Sequence, residues 1–234
     1  MRKIYKLKYL APVFILFSFF IMTFSVRTVF AVSKTILLKV PFTSQAPEAN
    51  WKDERQQDGC EEAAALMAMS WVRLGSQQTK AEIILSKRQW RDKIVGLSDW
   101  ELKKYGEYRD LSLTAIRDWI FKDYFSYKLV AIKKVNSPAD IIKELEKGNI
   151  ILLPMNGRAL KNPNFTSPGP ERHMILIKGY DYSTKKFITN DPGTRRGENY
   201  RYSAETIFKA IRTYKTGYKL PFGKLTKEML VVSR

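Results

Sequence analysis

Along the first half of the chain, apolar positions recur mainly at helical spacing; along the second half they gather in short runs. "TILLKVPF", residues 35–42, is β-branched and apolar and is interrupted at Pro41, which predicts a strand. The polar, turn-rich "TSQAPEANWKDERQQDG" that follows predicts a surface loop. From Cys60 the pattern becomes that of a helix. Asp58 and Gly59 can cap it, Glu61 and Glu62 lie in its first turn, and Gly75 ends it. Ala64, Leu66, Met67, Ala68, Trp71 and Val72 make it apolar over most of its circumference, which predicts a buried, central helix. Ser/Thr-x-x-Glu boxes at Thr79 and Ser98 predict two further helix starts, and Leu113, Ile116 and Ile120 a third helix. From Tyr127 the period changes. "YKLVAIKKV", "IILLPM", "RHMILIKGYD", "KFITND" and "EMLVVS" read as strands, and "SAETIFKAIRTY" as a late helix. "SPADIIKELEKGN" reads as a short helix, with Ser137 as cap, Pro138 at its first position and Gly148 as terminator. Helices first and an antiparallel sheet afterwards predict an α+β fold, two lobes packed as one domain.

Residues 1–32 have another pattern: a basic "MRKIYKLKYL", an apolar core, and small residues in "VFAVS". This reads as a secretory signal cleaved after Ala31, or as an N-terminal membrane anchor if uncleaved. Either way residues 33–234 are expected outside the cytoplasm, secreted or held on the outer membrane face. The segment carries five of the 41 Lys and Arg, leaving 36 against 23 Asp and Glu, a net +13. That charge favours anionic cell-envelope polymers or a membrane surface. The basic residues are scattered and do not interleave with aromatics, so a nucleic-acid partner is not expected.

One cysteine excludes an internal disulfide, and one cysteine with one histidine excludes a four-ligand zinc site of that type. No metal or cofactor is expected. Cys60 stands at a helix start, where the helix dipole and free N–H groups favour a thiolate and can hold an oxyanion. Glu61 and Glu62 oppose that, so a cation is needed, and His173 is the only histidine. It begins an apolar, interior-type strand. Pairing that strand with the next as a hairpin brings Asp191, or failing it Asn190, near the imidazole. Each residue alone also has a plain structural reading: a buried small hydrophobe, a hydrogen-bonded histidine, a turn. The irregular stretch 156–171 ends two residues before His173 and is a candidate substrate flap, or else a plain surface excursion.

"VPFTSQ", "GCEEAAALMAM", "HMILIKGYD" and "NDPGT", in that order, resemble the bacteriocin-processing-like cysteine peptidases, the C-thirty-nine-like branch of the papain clan. The resemblance runs from Leu38 to about Ile211. It implies a papain-like fold, with Cys60 as nucleophile, His173 as general base and Asp191 orienting the imidazole. The oxyanion-hole glutamine maps to Gln45, with Gln57 as a rival because a long loop separates Gln45 from Cys60. Glu61-Glu62 departs from the commoner small pair after the cysteine. The implied activity is hydrolysis of peptide bonds in a peptide or protein substrate, with amidase or transpeptidase outcomes open to the same residues. No ATPase module is present in this sequence, so the export role of transporter-fused relatives does not carry over. The alternative is a catalytically inactive papain-like fold acting as a cationic envelope-binding module.

Overall fold

The computed structural model describes residues 35–76, 85–222 and 225–234; the N-terminal segment and the Thr79 box lie outside them. The described elements run β1 (Thr35–Leu37), α1 (Glu54–Gln57), α2 (Cys60–Ser76), α3 (Lys87–Tyr105) and α4 (Leu113–Ala115), the last continuing into a π-helix (Ile116–Tyr124). β2 (Val130–Lys134), α5 (Pro138–Glu146), β3 (Ile150–Met155), α6 (Gly157–Leu160) and β4 (His173–Asp181) follow. β5 (Lys186–Asn190), β6 (Tyr200–Ser203), α7 (Ala204–Ala210) and β7 (Glu228–Val232) complete the chain.

The strands form one antiparallel sheet in the order β2-β7-β3-β4-β5-β6, with β1 beside the far end of β4. β4 is buried along its whole length, as its two apolar faces require. Its even-numbered residues Met174 and Leu176 face a core shared with α2, α3 and the π-helix. Its odd-numbered Ile175 and Ile177 face a second core with residues of α5 and α7. Helices therefore cover both faces of the sheet, and α2 is the central one. From Ala63 to Met69 every side chain of α2 is buried, and Met67 and Trp71 are among the largest fully buried side chains. Leu66, Met67 and Met69 each contribute roughly 1.5–3 kcal/mol of burial.

Several local expectations change. The Ser98 box is not a helix start. α3 begins twelve residues earlier, at a reciprocal box between Ser86 and Gln89, and Ser98 lies mid-helix with its hydroxyl donating to the Ile94 carbonyl. A Ser/Thr-x-x-Glu pattern inside a longer apolar-periodic run cannot by itself mark an end. The "LTAIRDWIFKDY" segment winds from Ile116 as a π-helix that buries Ile116, Ile120 and Phe121. The Ser137, Pro138 and Gly148 signals fall where expected, Gly148 adopting φ +81°. β6, α1 and α6 were not legible, each being four residues long.

Candidate active site

The sheet and α2 bring three chemistry-bearing residues to one end of the molecule. Cys60 is the first residue of α2, His173 the first of β4, and Asp191 follows the last residue of β5. The hairpin register pairs Leu176 with Asn190, which leaves Asp191 alongside the start of β4. There His173 Nε2 and Asp191 Oδ1 lie 2.7 Å apart, both side chains almost wholly buried. Asn190, the sequence alternative, points elsewhere: its amide donates to the carbonyls of Val40 and Pro41. The backbone N–H of Met174, directly after His173, lies near enough to the Cys60 sulfur to favour its ionised form weakly. Gly59 makes the turn into α2 possible, because a Cβ there would stand 2.4 Å from the Arg55 carbonyl oxygen.

Asp191 is held from several sides. Tyr202 donates to Oδ2 at 2.5 Å, Asn162 to the same oxygen at 3.4 Å, and the Gly193 N–H to Oδ1 at 3.0 Å. Burial alone would raise this carboxyl. The charge of His173 and the hydrogen bonds from His173, Tyr202 and Gly193 more than offset it and hold Asp191 below the usual carboxylate range. The ring of His173 is wedged between Phe165, edge-on at 5.3 Å between centroids, and Gly193, where a Cβ would come within 2.8 Å of the imidazole.

Both candidate glutamines line the same cleft as Cys60 and His173, in different roles. Gln45 is buried, and its amide donates to the Gln57 backbone carbonyl at 2.6 Å. An amide has two N–H donors, and among the described residues only one of them is used. The side chain of Gln57 is exposed, so it is the main chain of Gln57 that aims Gln45. The cleft holds about 1290 Å³ and residues 163–172 form one wall of it. The 156–171 stretch lines the cleft, and its Asn162 donates to both Asp191 and Tyr202.

The family model described as the Peptidase C39 like family matches residues 37–219. The chain belongs to that family. A crystal structure of a C39-like peptidase from Bacillus anthracis shares the fold at 15% identity, with a TM-score of 0.51, covering 86% of this chain and 98% of that one. No curated protein matches. The α+β, papain-like architecture expected from the sequence is the one observed.

What this C39-like fold adds around the thiol is a set of buried acids. Cys60 Sγ donates to Glu61 Oε2 at 2.9 Å, and Tyr214 donates to Glu61 Oε1 at 2.7 Å. Burial raises Glu61 to about 7 against the hydrogen bonds from Cys60 and Tyr214. Glu62 and Glu101 are buried face to face and receive no donor from elsewhere among the described residues. Burial, then the charges of Glu101 and Glu61, holds Glu62 well above the usual carboxylate range. Burial raises Glu101 to about 8, so both acids favour their neutral forms. The Cys60 thiol is itself pushed well up, first by burial and then by the charge of Glu61. Both effects favour the neutral thiol over the thiolate. Sequence reasoning recognised Glu61 and Glu62 as adverse charges but missed Tyr214, Tyr202, Asn162 and Phe165. Those residues come from distant segments, and nothing local marks them.

Among the described residues no group of three or more His, Cys, Asp or Glu side chains could hold a metal ion, and no helix is long and apolar enough to cross a membrane.

Proposed function

We propose that this chain is an extracytoplasmic cysteine peptidase, with Cys60 as nucleophile, His173 as general base and then acid, Asp191 orienting the imidazole, and Gln45 with the Cys60 N–H as oxyanion donors. One observation carries the reading: a helix-start thiol shares a cleft with a histidine whose Nε2 is anchored on a buried carboxylate at 2.7 Å. That bond leaves Nδ1 to take the thiol proton. The sulfur then attacks the substrate carbonyl carbon, and the oxyanion draws the second N–H of Gln45 and the backbone N–H at the positive end of α2. His173 returns the proton to the leaving amine, and water hydrolyses the thioester. A cleft of about 1290 Å³ exceeds the usual 300–1,000 Å³ of a small-ligand site and suits a stretch of polypeptide. The extracytoplasmic placement rests on the basic and apolar pattern of residues 1–32, and an anionic envelope partner on the +13 charge of the remainder.

The test is digestion of a mixed peptide library followed by mass spectrometry, with Cys60→Ala and His173→Ala beside the wild type. Cleavage by the wild type alone, with a mass adduct on Cys60 from a peptidyl vinyl sulfone, is the expected result. A second reading, the fold kept as a binding module, is favoured by the neutral thiol tied to Glu61. Neither cleavage nor adduct between pH 5 and 8, with retained binding to anionic polymers, would select it.

A further inference from the structure

The β4–β5 ladder slips between Ile177 and Gly179, so Lys178 occupies a bulge. Bulges re-aim a side chain out of the regular alternation. Lys178 is 4% exposed and lines a second cavity, of about 440 Å³, away from Cys60 and His173. Its walls are apolar: Leu38, Val40, Phe42, Leu74, Leu85 and Trp90. Polar groups gather beside them, Lys39, Glu198 and Asn199.

A buried ammonium should be paired or well hydrogen-bonded. Lys178 meets neither condition. Among the described residues the one hydrogen bond of its side chain is to the Val40 carbonyl at 3.4 Å, beyond the ordinary 2.7–3.2 Å, and an ammonium has three donors to place. The exposed Glu198 acts on it through space without forming an ion pair. Burial accordingly holds the lysine below its ordinary range. Two donors and a positive charge are thus left over inside an apolar cavity whose volume lies in the range of small-ligand sites.

We propose that this cavity binds an aliphatic monocarboxylate, its hydrocarbon chain against the Leu74, Leu85 and Trp90 wall and its carboxylate on the Lys178 ammonium. The carboxylate supplies the counter-charge and acceptors that the fold itself does not, and the chain fills the apolar volume. The assignment does not depend on peptidase activity, and the site would be present in a catalytically silent protein.

Octanoate and the uncharged octan-1-ol are titrated into the full chain by calorimetry. Octanoate should bind the wild type, and Lys178→Met should weaken it about tenfold or more, the usual weight of a charge-assisted hydrogen bond. Lys178→Arg should keep most of the affinity, and octan-1-ol should bind wild type and Lys178→Met alike. Methionine suits the apolar walls, so Lys178→Met should fold with an undiminished melting temperature. Leu74→Trp narrows the wall without touching the lysine and should weaken both ligands. Octanoate binding equally well to wild type and Lys178→Met, or failing to bind the wild type at millimolar concentration, would overturn the proposal.

Discussion

The thiol of Cys60 donates to the carboxylate of Glu61, its neighbour in sequence, at 2.9 Å, and both residues line the cleft. Glu61 is held on its other oxygen by Tyr214, 153 residues away. The thiol's acidity is lowered first by burial and then by a carboxylate that itself changes charge near pH 7. Ionised, Glu61 accepts the S–H and disfavours thiolate; neutral, it no longer opposes the transfer of that proton to His173.

Glu61→Gln should make Cys60 more reactive. Iodoacetamide alkylation of the wild type at pH 8 should be slower than that of a free cysteine. In the variant the rate should rise about tenfold or more, one unit of thiol pKa. Glutamine keeps an acceptor for Tyr214, so the fold is retained. An unchanged rate would show that burial alone controls the thiol.

Asp191→Ala should lower kcat by roughly 10²–10⁴, because the imidazole loses its anchor while substrate contacts remain. KM should move little. Tyr202→Phe removes one donor from the same buried carboxylate and should cost about 1–3 kcal/mol of stability, with a smaller loss of kcat. Peptide hydrolysis and urea denaturation separate the two effects.

The glutamines divide cleanly. Gln45→Ala should reduce kcat by about 10²–10³, the usual loss of one oxyanion donor, with Cys60 alkylation unchanged. Gln57→Ala should leave kcat within a few-fold, since Gln57 acts through its carbonyl. Equal losses in both variants would refute this division.

Stability should fall as pH rises from about 4.5 to 8. Glu61, Glu62 and Glu101 all titrate higher folded than unfolded, so in this window the native state holds more protons than the unfolded chain. Their unfavourable ionisation is absent below about 4.5 and complete above their folded values. Asp191, depressed in the fold, loses its contribution only on acidification through its ordinary range, outside this window. The urea midpoint should be higher at pH 5.5 than at pH 8, and Glu62→Gln should flatten the difference. A midpoint that climbs with pH would contradict the buried-acid account.

Much of this protein was legible in its sequence because the signals are local. The all-apolar α2, the capping of α5 and the uninterrupted run of β4 each depend on neighbours within a turn or a pleat. The order of Cys60, His173 and Asp191 on a helix start, a strand start and a strand end was legible for the same reason. What stayed hidden depends on contacts across the chain. Tyr214 on Glu61, Tyr202 and Asn162 on Asp191, and Phe165 on His173 are set by how the loop, β6 and the segment after α7 pack back on the sheet. The difference between Gln45 and Gln57 was equally tertiary: the fold buries the first side chain and leaves the second in water, though both line the cleft. Periodicity specifies which face of an element is apolar; it does not specify which distant polar group will be trapped against that face. Desolvation, and with it the charge state of Cys60 and its acids, is a property of the folded molecule alone.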